Sequence, residues 1–132
     1  NQRGGGFDIQ VVVALRTAQM LAEQLEPEPI SRASFASMYW TMAQLLTHHA
    51  SNGCNLRPGD LLGSGTISGP DRENRGCLLE LTWRGTEPLT LPTGEVRRFL
   101  QDGDEVVMRA YCERPGAASI GFGECAGVVQ PA

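Results

Sequence analysis

Residues 52–70 read NGCNLRPGDLLGSGTISGP. Five glycines and two prolines fall within these nineteen residues, interrupted by the apolar pair Leu61-Leu62. That density of turn formers excludes a helix. The order inside the run argues against a linker as well. Pro58-Gly59-Asp60 reads as a turn feeding a short strand, expected over 60–64, and the strand feeds a Gly-Thr-x-x-Gly loop, residues 65–69. A hydroxyl on a glycine-walled loop at a strand end can bring a ligand close to backbone N–H groups. Thr66 is therefore a candidate for holding a carboxylate or carbonyl oxygen. The bland alternative is a tight turn whose hydroxyls satisfy their own backbone.

On the N-terminal side, residues 31–51 predict the one long helix. Ser31 or Ser34 is placed to cap it. Phe35, Met38, Met42, Leu45 and His49 follow at helical spacing, with Tyr39 and Leu46 widening the apolar face. Asn52-Gly53 suits its left-handed end. Before it, residues 22–30, with Glu26-Pro27-Glu28-Pro29, read as a solvated connection. Residues 7–15 alternate as a half-buried strand.

On the C-terminal side the chain reads as β. Residues 77–84, 105–113 and 119–129 are strand candidates between glycine or proline turns. Two strands open alike, at Gly59-Asp60 and Gly103-Asp104, which suggests a roll built from similar corners. The expected fold is mainly β (α+β), a mixed β-roll or barrel-like sheet with one long packed helix. On the 77–84 strand, Glu80 would stand mid-strand between leucines. There it either reaches solvent or has a dedicated partner, because an unpaired buried charge costs several kcal/mol. A partner histidine or arginine would make it an orienting or proton-handling group.

Other candidates read as structural. His48 and His49 fall in the last helical turn, where imidazolium suits the carbonyl end; being adjacent, they do not chelate as an i, i+4 pair. Asp60, Asp102 and Asp104 lack the dense spacing of a calcium loop and read as turn formers.

Composition bounds the function. The chain has 132 residues, one domain at most, and a net charge of −4. No basic stripe argues for nucleic acid and no polybasic run for an anionic membrane. No apolar stretch approaches the roughly 20 residues that span a bilayer. All eleven basic residues are arginines, which removes lysine Schiff-base chemistry from this stretch. Cys54, Cys77, Cys112 and Cys125 show no C-x-x-C spacing, as in a thiol-bearing cytoplasmic protein. The opening at Asn1, with a loose Arg3-Gly4-Gly5-Gly6, reads as a cut from something longer.

The segments FDIQVVVAL, MYWTMAQLLTHHASNGCNLRPGDLLGSGTISGP, GCLLELTWRGTEPL, RRFLQDGDEVVM and IGFGECAGVV closely resemble the C-terminal part of the fumarylacetoacetate hydrolase family, in the same order, from about Gly6 to Pro131. The wider superfamily of acylpyruvate hydrolases, hydratases and decarboxylases shares a looser Pro-Gly-Asp, Gly-Thr and Gly-Asp skeleton, typically with Pro where this chain has Ile67. Tyr39-Trp40 and the ending at residues 121–125 point to the branch that cleaves fumarylacetoacetate itself. The resemblance implies residues 1–132 as the C-terminal portion of a catalytic domain that hydrolyses a carbon–carbon bond, giving fumarate and acetoacetate in tyrosine and phenylalanine breakdown. It implies calcium or magnesium binding the diketo part of the substrate, with ligands upstream of this chain, and a homodimer. It implies Glu80 as the carboxylate that holds a water-activating histidine, and Thr66 as a substrate-binding residue. The family's catalytic histidine, metal ligands, lysine and oxyanion-hole arginine have no match here, so the fragment alone is expected to be inactive. A sister hydrolase, hydratase or decarboxylase, or a non-catalytic binding or oligomerisation module, are the rival readings.

Overall fold

The computed structural model describes residues 4–132; Arg3 of the loose opening lies outside them. The chain is mainly β, as expected. Strand β1 (Gln10–Arg16) is followed by a short helix α1 (Ala18–Ala22), then strand β2 (Glu28–Ser34), helix α2 (Met42–Ser51) and a one-turn helix α3 (Leu78–Leu81). The two-residue strands β3 (Leu89–Thr90) and β4 (Val96–Arg97) precede the long strands β5 (Glu105–Cys112) and β6 (Ile120–Val128). The main sheet has the order β2-β1-β5-β6 and every pairing in it is antiparallel, not mixed; β3 and β4 form a separate antiparallel pair.

Strand β1 is the keel. Its alternation puts Val13 and Leu15 on one face, opposite Met108 and Val106 of β5. Leu15, Met20 and Leu91 form the buried cluster on that face, with Ile30 and Val106 packed against it. Ile30 and Pro29 belong to β2, so the expected solvated connection over 22–30 yields its last three residues to the sheet. Proline is tolerated there because β2 is an edge strand.

Three expected elements differ. The helix over 31–51 is confined to Met42–Ser51. Residues 31–34 pair with β1; Ser31 is buried in β2, and Ser34 instead caps the 3-10 turn Phe35–Ser37. Phe35 is buried in that turn, and Tyr39 and Trp40 are exposed before the helix, in an edge-to-face contact at 4.8 Å. The true cap is Thr41, whose side chain accepts from Gln44 N while the Gln44 side chain accepts from Thr41 N. This reciprocal pair outcompetes a lone serine. None of the residues of α2 is buried, so the helix is not packed as expected, but Asn52-Gly53 ends it as expected, with Gly53 at φ +80°.

Residues 60–64 form no strand. Leu61 is 98% exposed, and without a neighbour to pair with, extended backbone stays solvated.

The strand expected over 77–84 is helix α3. Leu78 and Leu81, three apart, turn toward the sheet, while Leu79 is 53% exposed. The fully buried Thr82 locks this turn: its hydroxyl lies 2.7 Å from the Leu78 carbonyl and 3.2 Å from that of Arg98, and accepts from Gly85 N.

The two Gly-Asp corners do share one geometry. The Arg57 N–H donates to the Asp60 carboxylate at 2.8 Å and receives Asp60 N at its carbonyl; Gln101 and Asp104 repeat both bonds. Gly59 and Gly103 stand at φ +97° and +85°, positions where a Cβ would be strained. Only the second corner is buried. There Asp104 takes Arg97 Nε at 2.9 Å and Nη2 at 3.0 Å, and Arg97 reaches on to Glu95, which also accepts from Thr17 and Thr93.

Candidate functional site

The glycine loop lies against the segment that leads into α3. A Cβ on Gly76 would stand 2.2 Å from the Ile67 carbonyl oxygen and 2.8 Å from Thr66 Cγ2, so only glycine admits the loop this closely. The loop is anchored to the sheet edge through Asn74. Its main-chain oxygen accepts from Gly69 N at 3.0 Å, and its side-chain amide donates to the Arg32 carbonyl of β2 at 3.1 Å.

Ser68 makes the decisive link. Its hydroxyl accepts from Gly76 N–H at 3.1 Å and donates to Glu80 Oε2 at 2.5 Å. Glu80 is thus not mid-strand between leucines, as expected, but on the exposed side of α3 with its carboxylate turned to the loop. Among the described residues Oε1 has no hydrogen-bond partner. Thr66 is exposed, two residues from the Ser68 link.

After α3 the backbone takes three left-handed residues in succession, Trp83, Arg84 and Gly85, at φ 46°, 58° and 85°. Two of the three are not glycine, an uncommon conformation that the Thr82 lock holds in place. The turn lays the Trp83 ring 4.9 Å from the Arg75 guanidinium carbon, a cation–π contact. Arg75 also donates to the Glu80 carbonyl at 3.2 Å. Ser68, Gly69, Arg75, Leu79, Glu80, Trp83 and Arg84 line an open cleft of about 360 Å³. One carboxylate, one hydroxyl, two guanidinium groups and an indole face can orient a proton-carrying group and accommodate an anion.

The structure brings the Thr66 loop and Glu80 to one place and leaves the histidines elsewhere. His48 lines a separate small cavity with Trp40, Gln44 and Leu45; His49 is exposed rather than part of an apolar stripe. Both are in the last turn of α2. Asp60 and Asp104 serve their corners. Among the described residues, no three His, Cys, Asp or Glu side chains gather to hold a metal ion. The cleft's lone carboxylate between two arginines does not fit the six or more oxygen ligands of calcium or magnesium.

Sequence reasoning overlooks Arg75, Trp83 and Arg84, and takes Ser68 as a flanking residue. The signal for Trp83 and Arg84 was present in the Thr82-Trp83-Arg84-Gly85 run, which marks a turn once 78–81 is read as helix. It overlooks the buried Arg97–Asp104 pair as well. There the Asp104 carboxylate, before all other influences, raises the Arg97 guanidinium above its ordinary value.

The profile of the family described as fumarylacetoacetate hydrolase, C-terminal, matches residues 9–130. The chain is 55% identical over 126 residues to the fumarylacetoacetase of Homo sapiens, covering 96% of this chain and 29% of that protein. It is 50% identical over 110 residues to that of Oryza sativa subsp. japonica, covering 83% of this chain and 25% of that protein, and 44% identical over 128 residues to that of Dictyostelium discoideum, covering 96% and 29%. The chain therefore spans under a third of the length of the curated relatives it matches.

Proposed function

Because the chain belongs to the fumarylacetoacetate hydrolase family, we propose that it forms one wall of the active site of a fumarylacetoacetase-type hydrolase, with residues 1–132 as the C-terminal portion of its catalytic domain. The observation that carries this reading is the Glu80 carboxylate, fixed through Oε2 by Ser68 and open at Oε1, at the rim of the cleft beside the Thr66 loop. Several relatives bearing the name fumarylacetoacetase, from mammals, a plant and an amoeba, favour this reading over a sister hydratase or decarboxylase.

In this reading Glu80 Oε1 accepts the N–H of an imidazole carried by another segment. That bond fixes the tautomer and stabilises the imidazolium that forms when the second ring nitrogen takes a proton from water. The hydroxide adds to a substrate carbonyl, and the adjacent carbon–carbon bond breaks. The electron pair leaves on acetoacetate as a carbanion, which takes up the proton, and fumarate retains the oxygen. Thr66 binds an oxygen of the diketo acid. A divalent cation would supply positive charge to the diketo group, held by ligands from other segments of the full-length protein.

The surface agrees with a wall rather than a whole. A compact protein of 14.2 kDa exposes about 6,800 Å² by size scaling, whereas this chain exposes 9280 Å². An apolar trough of about 530 Å³ lies open between the sheet and α3, lined by Val13, Val106, Met108, Leu78, Leu81 and Phe99. The rest of the catalytic domain, and the second protomer of a homodimer, would cover such surface. The four cysteines are unpaired, as suits a reducing cytoplasm.

The test is Glu80→Gln in the full-length protein, assayed by loss of the absorbance of the fumarylacetoacetate diketone. By analogy with the serine-hydrolase carboxylate, turnover should fall by up to about 10⁴-fold while the protein stays folded. Near-normal turnover by this variant would remove Glu80 from the mechanism.

A further inference from the structure

We infer that Ser68 is a positioning residue of this site: its hydroxyl sets the orientation of the Glu80 carboxylate and couples it to the loop that carries Thr66. The inference rests on the reading above, in which Glu80 orients an imidazole.

A serine hydroxyl has one proton to give and lone pairs to receive. The Gly76 N–H occupies the acceptor side of Ser68 at 3.1 Å. The proton is then directed to Glu80 Oε2 at 2.5 Å, the short distance of a charge-assisted O–H···O⁻ bond. Among the described residues this is the sole hydrogen bond to the carboxylate. Arg75 binds the main-chain oxygen of Glu80 and leaves its side chain alone. Without Ser68, a three-torsion side chain on the exposed face of a one-turn helix would spread over its solvent rotamers. With Ser68, Oε2 is occupied and Oε1 is the oxygen presented for an incoming N–H.

The same hydroxyl joins two stretches of chain. Ser68 stands two residues after Thr66, and Gly76 stands four before Glu80. The close approach at Gly76, where a Cβ would meet the Ile67 oxygen at 2.2 Å, sets the loop directly against the segment that leads to the carboxylate. An oxygen bound at Thr66 is thereby held at a set distance from the group that orients the base. A displacement of the loop would be passed to the carboxylate directly.

The test is a double-mutant cycle in the full-length protein with fumarylacetoacetate as substrate. Ser68→Ala should lower kcat roughly 10- to 100-fold, the worth of one hydrogen bond to a charged group, with KM changed far less. On the Glu80→Gln background the same change should lower the residual kcat by less than about twofold, because the group through which Ser68 acts is already lost. A purely structural serine would reduce activity by the same factor in both backgrounds, and that result overturns the inference. So does a Ser68→Ala enzyme of full activity beside a crippled Glu80→Gln enzyme, which leaves the role of Glu80 intact. A fully active Glu80→Gln enzyme overturns both. Should Ser68→Ala fail to fold, Ser68→Cys, close in volume and a weak donor, runs the same cycle.

Discussion

The close approach at Gly76 makes Gly76→Ala the sharpest probe of the site. An added Cβ would lie 2.2 Å from the Ile67 oxygen, where real contacts stay beyond 3.0 Å, so the loop must retreat by about 0.8 Å, the difference of the two. The obstructing atom is backbone, so no side-chain rotation relieves it, and overpacking of this kind costs about 1–3 kcal/mol. The retreat carries Thr66 and Ser68 away from Glu80. A misplacement near 1 Å in a catalytic site can cost about 10²-fold in rate. In the full-length protein, Gly76→Ala should therefore lower kcat/KM by about two orders of magnitude and lower the thermal midpoint as well. Gly63→Ala is the control: a Cβ there meets nothing within 4 Å, and its φ is not in the left-handed range. Steady-state kinetics and a melting curve on both variants decide the matter. A Gly76→Ala enzyme with wild-type kinetics would refute the close approach of the loop to the segment that leads into α3.

Three further outcomes are expected of the full-length protein. Thr66→Val keeps the shape and removes the hydroxyl, so KM for the diketo acid should rise by about tenfold, the worth of one hydrogen bond; an unchanged KM would take Thr66 out of the site. Asp104→Ala strips the buried Arg97 of its best partner and should destabilise by about 3–5 kcal/mol, read as a shift of the urea midpoint at constant slope; a shift below about 1 kcal/mol would mean that Glu95 alone suffices for Arg97. The Thr17 hydroxyl, followed by Thr93 and Arg97, holds the Glu95 carboxyl below its usual 4.5 against the opposing effect of burial. A carboxyl depressed on folding contributes stability that is fully present above its unfolded value and lost as pH falls through the lower folded one. Urea midpoints of the wild type should drop below about pH 4.5 more steeply than those of Glu95→Gln; parallel curves would remove Glu95 from the acid response.

Much of the frame is legible in residue order. β5 and β6 stand between glycine or proline turns, and their limits fall within one residue of expectation. Asn52-Gly53 marks the end of α2 because few residues accept a positive φ. The paired corners at Asp60 and Asp104 are legible for the same reason: both bonds of each corner lie within four residues. The start of α2 was legible too, in Thr41-x-x-Gln44, but the longer apolar spacing from Phe35 masks it, and nothing local reveals that residues 31–34 are claimed by β1.

The site itself is another matter. Glu80 and Thr66 stand out from motif and resemblance, yet the alternation of Cys77–Arg84 puts Glu80 on the wrong kind of backbone. Over so few residues, Leu78 and Leu81 fit a helix as well as Leu79 and Leu81 fit a strand. The arbiter is Thr82, whose hydroxyl contacts the Arg98 carbonyl sixteen residues on, beyond any local window. Arg75 against Trp83, and Ser68 between Gly76 and Glu80, depend on that outcome, because a helical turn and the left-handed run after it aim these side chains into one cleft. Local chemistry thus names the loop and the carboxylate, and contacts distant in sequence bring them to the same hydrogen bond.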